Sequence, residues 1–266
     1  MNKEELSACL GTTCVENYFL AWIKKYLPPK VFYARSFIPM KKIFSAFLNG
    51  ARYETFDGLI KVQDLSEKYG ITKHKILHAD KKEALSIISG GGENLVLVRL
   101  NADFYERYKF KPWREDHYVC FDNLKWINHY PLTCGEMDKE EFLKYYGGEI
   151  LIYEFSGVKK EIDDDIRFCV VNQSFDFRLS LPAEKTDGAL QLMKITRARV
   201  REYLSSRAEN GDAVAILDKI IGAAENLQLS LRKMSLKRKF DELLVSSALT
   251  DIYNYEREFS KVMTYA

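Results

Sequence analysis

The chain has 266 residues, 47% of them hydrophobic, with a formal net charge of +2, which excludes a disordered polymer and leaves room for one large domain or a domain with a helical extension. Near-balanced charge requires no nucleic-acid partner, no apolar run reaches the ~18 residues of a membrane span, and MNKEELSACLG lacks the basic-then-apolar order of a secretory signal. Cys9, Cys14, Cys120, Cys134 and Cys169 are odd in number and lack a disulfide-framework spacing, so reduced thiols in a cytoplasmic protein are expected.

From Ser7 to Tyr26 the apolar residues Cys14, Tyr18, Phe19, Trp22, Ile23 and Tyr26 recur every three or four positions, which predicts one helix ended by Pro28 and Pro29. A second helix is expected over residues 40–48, and LSEKYGI reads as a helix stopping at Gly70. Residues 71–77 alternate as a strand, 81–88 read as a helix, and 95–100 as a buried strand. Gly90, Gly91 and Gly92 follow a helix and precede a strand, the reverse of a phosphate loop, so a plain turn is expected.

HYVCF, a turn at Asp122-Asn123 and KWINHY predict an antiparallel hairpin. MDKEEFLKYYGG reads as a short helix capped by its glycines, EILIYEF as a strand, and RFCVVNQSF as another strand-like piece. From Asp187 to Tyr265 almost no Gly or Pro occurs and Val214, Leu217, Ile220, Ile221, Ala224 and Leu227 keep a helical period. The expected division is residues 1–180 as an α+β domain and 181–266 as a helical region.

A cysteine at a helix start is favoured as thiolate by the unpaired N–H groups and the positive end of the helix dipole. A free thiol near pKa 8.5 is only ~3% ionised at pH 7, whereas a His-paired thiol at a helix N-terminus can fall to about 3–4. In the helix expected here Cys9 opens the element and Cys14 lies one turn in, so Cys9 is the expected nucleophile and Cys14 core. A base for that thiol must be held rigidly and oriented through its second ring nitrogen. Pairing Phe121 with Leu124 would set His117 opposite Asn128 on one face, making His117 the base and Asn128 its orienting residue, with Asp122 as the alternative orienter. His129 would point to the other face. His117, Cys120, His129 and Cys134 match no zinc spacing, so neither metal nor cofactor is expected.

CLGTTCVENYFLAW, LVLVRLNADFYERYKFKPWREDHYV and MDKEEFLKYYGG, in that order, resemble the nucleophile helix, histidine strand and following helix of papain-like domains of the bacteriocin-processing peptidase and butirosin-synthesis acyltransferase kind. The likeness covers roughly residues 5–155 and implies a papain-like fold with a helical C-terminal part. The peptidases carry a glutamine before the cysteine as oxyanion donor. MNKEELSA contains none, which shifts the expectation from hydrolysis to acyl transfer and leaves the hole to backbone N–H groups, helped by Ser7 or Thr12.

The resemblance implies amide formation in peptide-antibiotic biosynthesis, including the closthioamide-type polythioamide group: an acyl group passes from a carrier-protein thioester through Cys9 to an amine. A cysteine peptidase or amidase, and a binding module without chemistry, are the alternatives. Phe104, Tyr105, Tyr108, Trp113 and Trp126 are either ordinary core or the lining of a dry channel. Arg232, Lys233, Lys237, Arg238 and Lys239 form either a solvated helix face or a dock for an acidic carrier protein. A homodimer is open; membrane and nucleic-acid partners are not expected.

Overall fold

A computed structural model describes residues 1–33, 36–51, 69–90, 92–110, 117–158, 183–205 and 210–265. Its described residues form two compact units. One holds residues 1–29 and 69–158, the other 30–51 and 183–265.

The first unit is a mixed α+β structure built on a six-stranded antiparallel sheet. Its elements are α1 (Lys3–Ser7), α2 (Cys14–Ile23), β1 (Ile71–Leu77), α4 (Lys81–Ser89), β2 (Leu95–Leu100), α5 (Ala102–Arg107), β3 (Tyr118–Asp122), β4 (Lys125–Asn128), β5 (Thr133–Glu136), α6 (Lys139–Tyr145) and β6 (Tyr146–Phe155), while α3 (Met40–Leu48) belongs to the second unit. The strand order is β1-β6-β2-β3-β4-β5, and every pairing is antiparallel.

Because strand side chains alternate between faces, the sheet buries two different surfaces. On one, Phe19 and Trp22 of α2 pack on Tyr153 of β6, with ring centroids 5.5 and 6.5 Å apart. On the other, Val98, Val119, Phe121, Trp126 and Ile150 form a core with Ala84 and Ile88 of α4, Phe104 and Tyr105 of α5, and Phe142 and Tyr145 of α6. Burying that many aliphatic and aromatic side chains, each worth about 1.5–3 kcal/mol, fixes which face each strand residue takes.

Three departures from the sequence expectation matter. The helix expected from Ser7 is two helices: Asn2 and Glu5 form a capping box on α1, the chain then turns through residues 8–13, and α2 starts at Cys14. The glycines after α6 do not cap it, because the chain passes directly into β6. Gly147 is instead needed for close approach, since a Cβ there would lie 2.8 Å from the Arg99 carbonyl oxygen. Third, α5 and β5 were not expected. Asn101 caps α5 by accepting from Phe104 N–H, and among the described residues β5 pairs only with β4, at the sheet edge.

The second unit contains α3 (Met40–Leu48), α7 (Ala183–Leu204), α8 (Gly211–Lys237) and α9 (Glu242–Tyr265). Its helical character agrees with the period read from Asp187 onward, but α3, which the expected boundary at residue 180 placed elsewhere, packs with these helices. Lys185 Nζ donates to the Leu48 carbonyl at 3.1 Å, and Phe37 stacks on Phe259 at 5.5 Å. The buried Arg197 guanidinium donates to the Ile38 carbonyl at 2.6 Å and pairs with Glu256. Glu256 also accepts from Met40 N–H at 3.3 Å, so one carboxylate ties α3, α7 and α9 together. Among the described residues no helix is long and apolar enough to cross a membrane. LSEKYGI before Tyr69, Trp113, Cys169 and RFCVVNQSF fall outside the described residues.

Candidate active site

Thr13-Cys14-Val15-Glu16 has the Ser/Thr-x-x-Glu order of a helix N-terminus. Thr13 is the N-cap, its hydroxyl accepting from Glu16 N–H at 3.2 Å. The turn before it is fastened to α2 by two side chains. Glu16 accepts from Thr12 N–H at 2.7 Å and from the Thr12 hydroxyl at 2.5 Å, while Asn17 accepts from Gly11 N–H at 2.9 Å and donates to the Thr13 carbonyl at 2.9 Å. A Cβ on Gly11 would meet Asn17 Cγ at 2.5 Å. Cys14 is therefore the first residue of a ten-residue helix, held at its positive end.

Cys9 lies elsewhere in that electrostatic pattern. It follows α1, past Ala8 at the helix C-cap, and its thiol donates to the Glu5 carbonyl at 3.2 Å. The carboxyl end of a helix does not supply the positive helix-start setting expected for Cys9 from the sequence. The helix-start reasoning applied to Cys9 thus transfers to Cys14.

His117 immediately precedes β3, and Asn128 ends β4. The hairpin pairs Phe121 with Trp126 and Asp122 with Lys125, a register displaced by two residues from the expected Phe121–Leu124 pairing. The turn is Asn123-Leu124, with Asn123 at φ 58°, a left-handed conformation that asparagine tolerates. A shift of two preserves the faces. His117 and Asn128 become diagonal neighbours, and His117 Nε2 lies 2.6 Å from Asn128 Oδ1.

Asn128 is fully buried, and its Nδ2 donates to the Pro131 carbonyl at 2.9 Å. That bond orients the amide, so Oδ1 accepts from His117 and the proton sits on Nε2. The basic lone pair is then on Nδ1. Asp122, the alternative orienter, is at the far end of β3, opposite Lys125.

Tyr18, one turn after Cys14, lies on the same side of α2. Its hydroxyl donates to the Ile127 carbonyl at 3.1 Å and accepts from His129 N–H at 2.8 Å. Burial, reinforced by the Cys14 and Cys120 sulfurs, pushes the Tyr18 hydroxyl well above its ordinary value. The His129 ring meets Tyr18 edge-on at 6.4 Å; burial, and then the charge of His117, lowers its pKa. Tyr105 stands edge-on to His117 at 5.9 Å.

Tyr118, next to His117, donates to the buried Glu149, and burial followed by that bond raises its hydroxyl, with Cys14 adding to the rise. Burial pushes the Glu149 carboxyl up, but hydrogen bonds from Lys75 and Tyr118 and the charges of Lys75 and Arg99 outweigh it and hold the group below the usual range. Cys14 thus acts electrostatically on Tyr118, the residue after His117, and on Tyr18, whose hydroxyl is bonded to the backbone on either side of Asn128.

The remaining candidates separate from this site. Burial, with Asp122 adding, pushes the Cys120 thiol up to about 12, and Cys134 is exposed on β5. Ser7 donates to the Glu4 carbonyl and Thr12 to Glu16, so neither hydroxyl is directed as an oxyanion donor. Phe104, Tyr105 and Trp126 belong to the core, with Tyr108 packed against it. Among the described residues no group of three or more His, Cys, Asp or Glu side chains could hold a metal. In the second unit Arg232, Lys233, Lys237, Arg238 and Lys239 are exposed at the end of α8 and the turn after it, beside Leu236 and Leu243, 86% and 84% exposed.

The first unit is thus an α+β fold whose sheet carries an oriented His–Asn pair and in which Cys14 opens a helix packed on that sheet. No protein-family model matches the chain, and no curated protein matches it.

Proposed function

We propose that the first unit is a papain-like cysteine acyltransferase in which Cys14 is the nucleophile, His117 the base and Asn128 its orienting residue. The observation that carries this reading is the His117 Nε2–Asn128 Oδ1 bond, which leaves Nδ1 as the basic nitrogen. His117 takes the Cys14 proton, and the thiolate attacks the carbonyl of an acyl thioester. The carbonyl–sulfur bond to the donor breaks, the donor thiol leaves with a proton, and a Cys14 thioester remains. An amine then attacks, its proton passes to His117, the C–S bond to Cys14 breaks, and an amide is released. N–H groups of the first turn of α2 serve as oxyanion donors.

No glutamine occurs in the thirteen residues before Cys14, which supports transfer over peptide hydrolysis. The donor in this reading is a thioester on the phosphopantetheine arm of a carrier protein, and the exposed cations of the α8–α9 turn suit an acidic partner of that kind.

The test is intact-protein mass after incubation with a simple acyl thioester. One added acyl group, lost in Cys14→Ala, retained in Cys9→Ala and discharged faster by a diamine than by water, supports the reading. Faster discharge by water favours a hydrolase, and no adduct favours a binding module.

A further inference from the structure

We propose that Tyr18 is a positioning residue: its hydroxyl brackets Asn128 and thereby sets both the tautomer of His117 and the placement of the Cys14 turn against it. The inference rests on the Cys14–His117 reading and adds a residue that touches no substrate.

The bracket is specific. Ile127 and His129 flank Asn128, and the one hydroxyl binds the carbonyl of the first and the N–H of the second. Fixing the groups on both sides of a residue fixes the direction of its Cα–Cβ bond. Asn128 Oδ1 is delivered to His117 Nε2 and Nδ2 to Pro131 by that direction. Asn128 is the last residue of β4, paired with Thr133, and beyond it the β4–β5 ladder no longer holds the strand. The Tyr18 hydroxyl takes over at the point where sheet hydrogen bonding stops.

The same side chain belongs to the nucleophile helix, four residues after Cys14. Tyr18 has 0% exposure, and its hydroxyl uses both donor and acceptor capacity on backbone groups, an arrangement a packing residue does not need: phenylalanine would fill the same volume. Two groups that must meet lie on α2 and on a hairpin more than a hundred residues later, and Tyr18 ties the two elements beside both.

Tyr18→Phe tests this with two readouts. Imidazole 15N shifts of His117 report the tautomer whether or not Cys14 is the nucleophile. The natural protein should show Nε2 protonated and Nδ1 unprotonated, and Tyr18→Phe and Asn128→Ala should both show mixed tautomers. The pH profile of Cys14 alkylation should move to higher pH, with the rate at pH 7 lower by about tenfold or more, and Asn128→Ala added to Tyr18→Phe should cost less than it does alone. Unchanged imidazole shifts and an unchanged profile, with only a lower Tm, would make Tyr18 structural and overturn the proposal. Loss of the tautomer alone, while Cys14→Ala leaves acylation intact, would retain the bracket and sink the nucleophile assignment.

Discussion

Asn128 Oδ1 lies 2.6 Å from His117 Nε2 while the other end of the same amide is bound to the Pro131 carbonyl. A side chain tied at both ends cannot rotate to offer its NH2 group instead, so the histidine has a defined proton position. The proposed role of His117 as a base rests on that relationship.

Removing either member should slow acylation of Cys14. His117→Ala is expected to cost on the order of 10²-fold or more, the usual range for a lost general base, and Asn128→Ala less, because the base survives without its orientation. Single-turnover rates with an acyl thioester check this. Equal rates in all three proteins would remove the pair from the mechanism.

The cysteines should label in a set order. At pH 8 a small alkylating agent should modify Cys14 and the exposed Cys134, while Cys120, buried and pushed up to about 12, should stay unlabelled until the protein unfolds. Peptide mapping after timed labelling decides it, and rapid labelling of Cys120 would contradict its environment.

Acid stability should fall in two stages. Burial holds the His129 pKa below its ordinary 6.5, so below that pH the unfolded chain takes a proton the native one resists. Its contribution is full above 6.5 and is lost as pH falls toward the native value. Glu149 is held below its ordinary 4.5; its contribution is full above 4.5 and lost as pH falls through the native value. Urea midpoints against pH should therefore show a shallower slope just below 6.5 for His129→Gln, and a changed slope only below 4.5 for Glu149→Gln.

Glu256→Gln should destabilise the helical unit by about 3–5 kcal/mol, because it leaves the fully buried Arg197 guanidinium without its counter-charge. Replacing Arg197 and Glu256 together by apolar residues should cost less. A single-variant loss below about 1 kcal/mol in chemical unfolding would show that the pair is dispensable.

Gly11→Ala should loosen the turn that presents Cys14. The added methyl collides with the Asn17 side chain, at a cost of about 1–3 kcal/mol for overpacking, and Cys14 labelling should slow while Cys134 labelling is unchanged. Unchanged Cys14 labelling would show that the turn does not govern the sulfur.

Periodicity and turn chemistry in the sequence determined much of the architecture. Strands at 71–77 and 95–100, helices at 40–48 and 81–88, the His117 hairpin and the helical C-terminal third all follow from local pattern, because each buries one face whose spacing is written in consecutive residues. Even the His117–Asn128 partnership was legible, since a hairpin is local and a two-residue error in register leaves faces unchanged. The helix opens at Cys14, not at Cys9 as the sequence predicts. The apolar period itself begins at Cys14, and the break between Cys9 and Cys14 comes from Asn17 and Glu16 reaching back onto Gly11 and Thr12; the Thr13-x-x-Glu16 order is the local signal for it. Only tertiary structure decided the rest. Tyr18 looks like one more core aromatic until its hydroxyl meets β4, and α3 joins the C-terminal helices through Glu256, more than two hundred residues away. Such contacts depend on long-range packing, which no local spacing encodes.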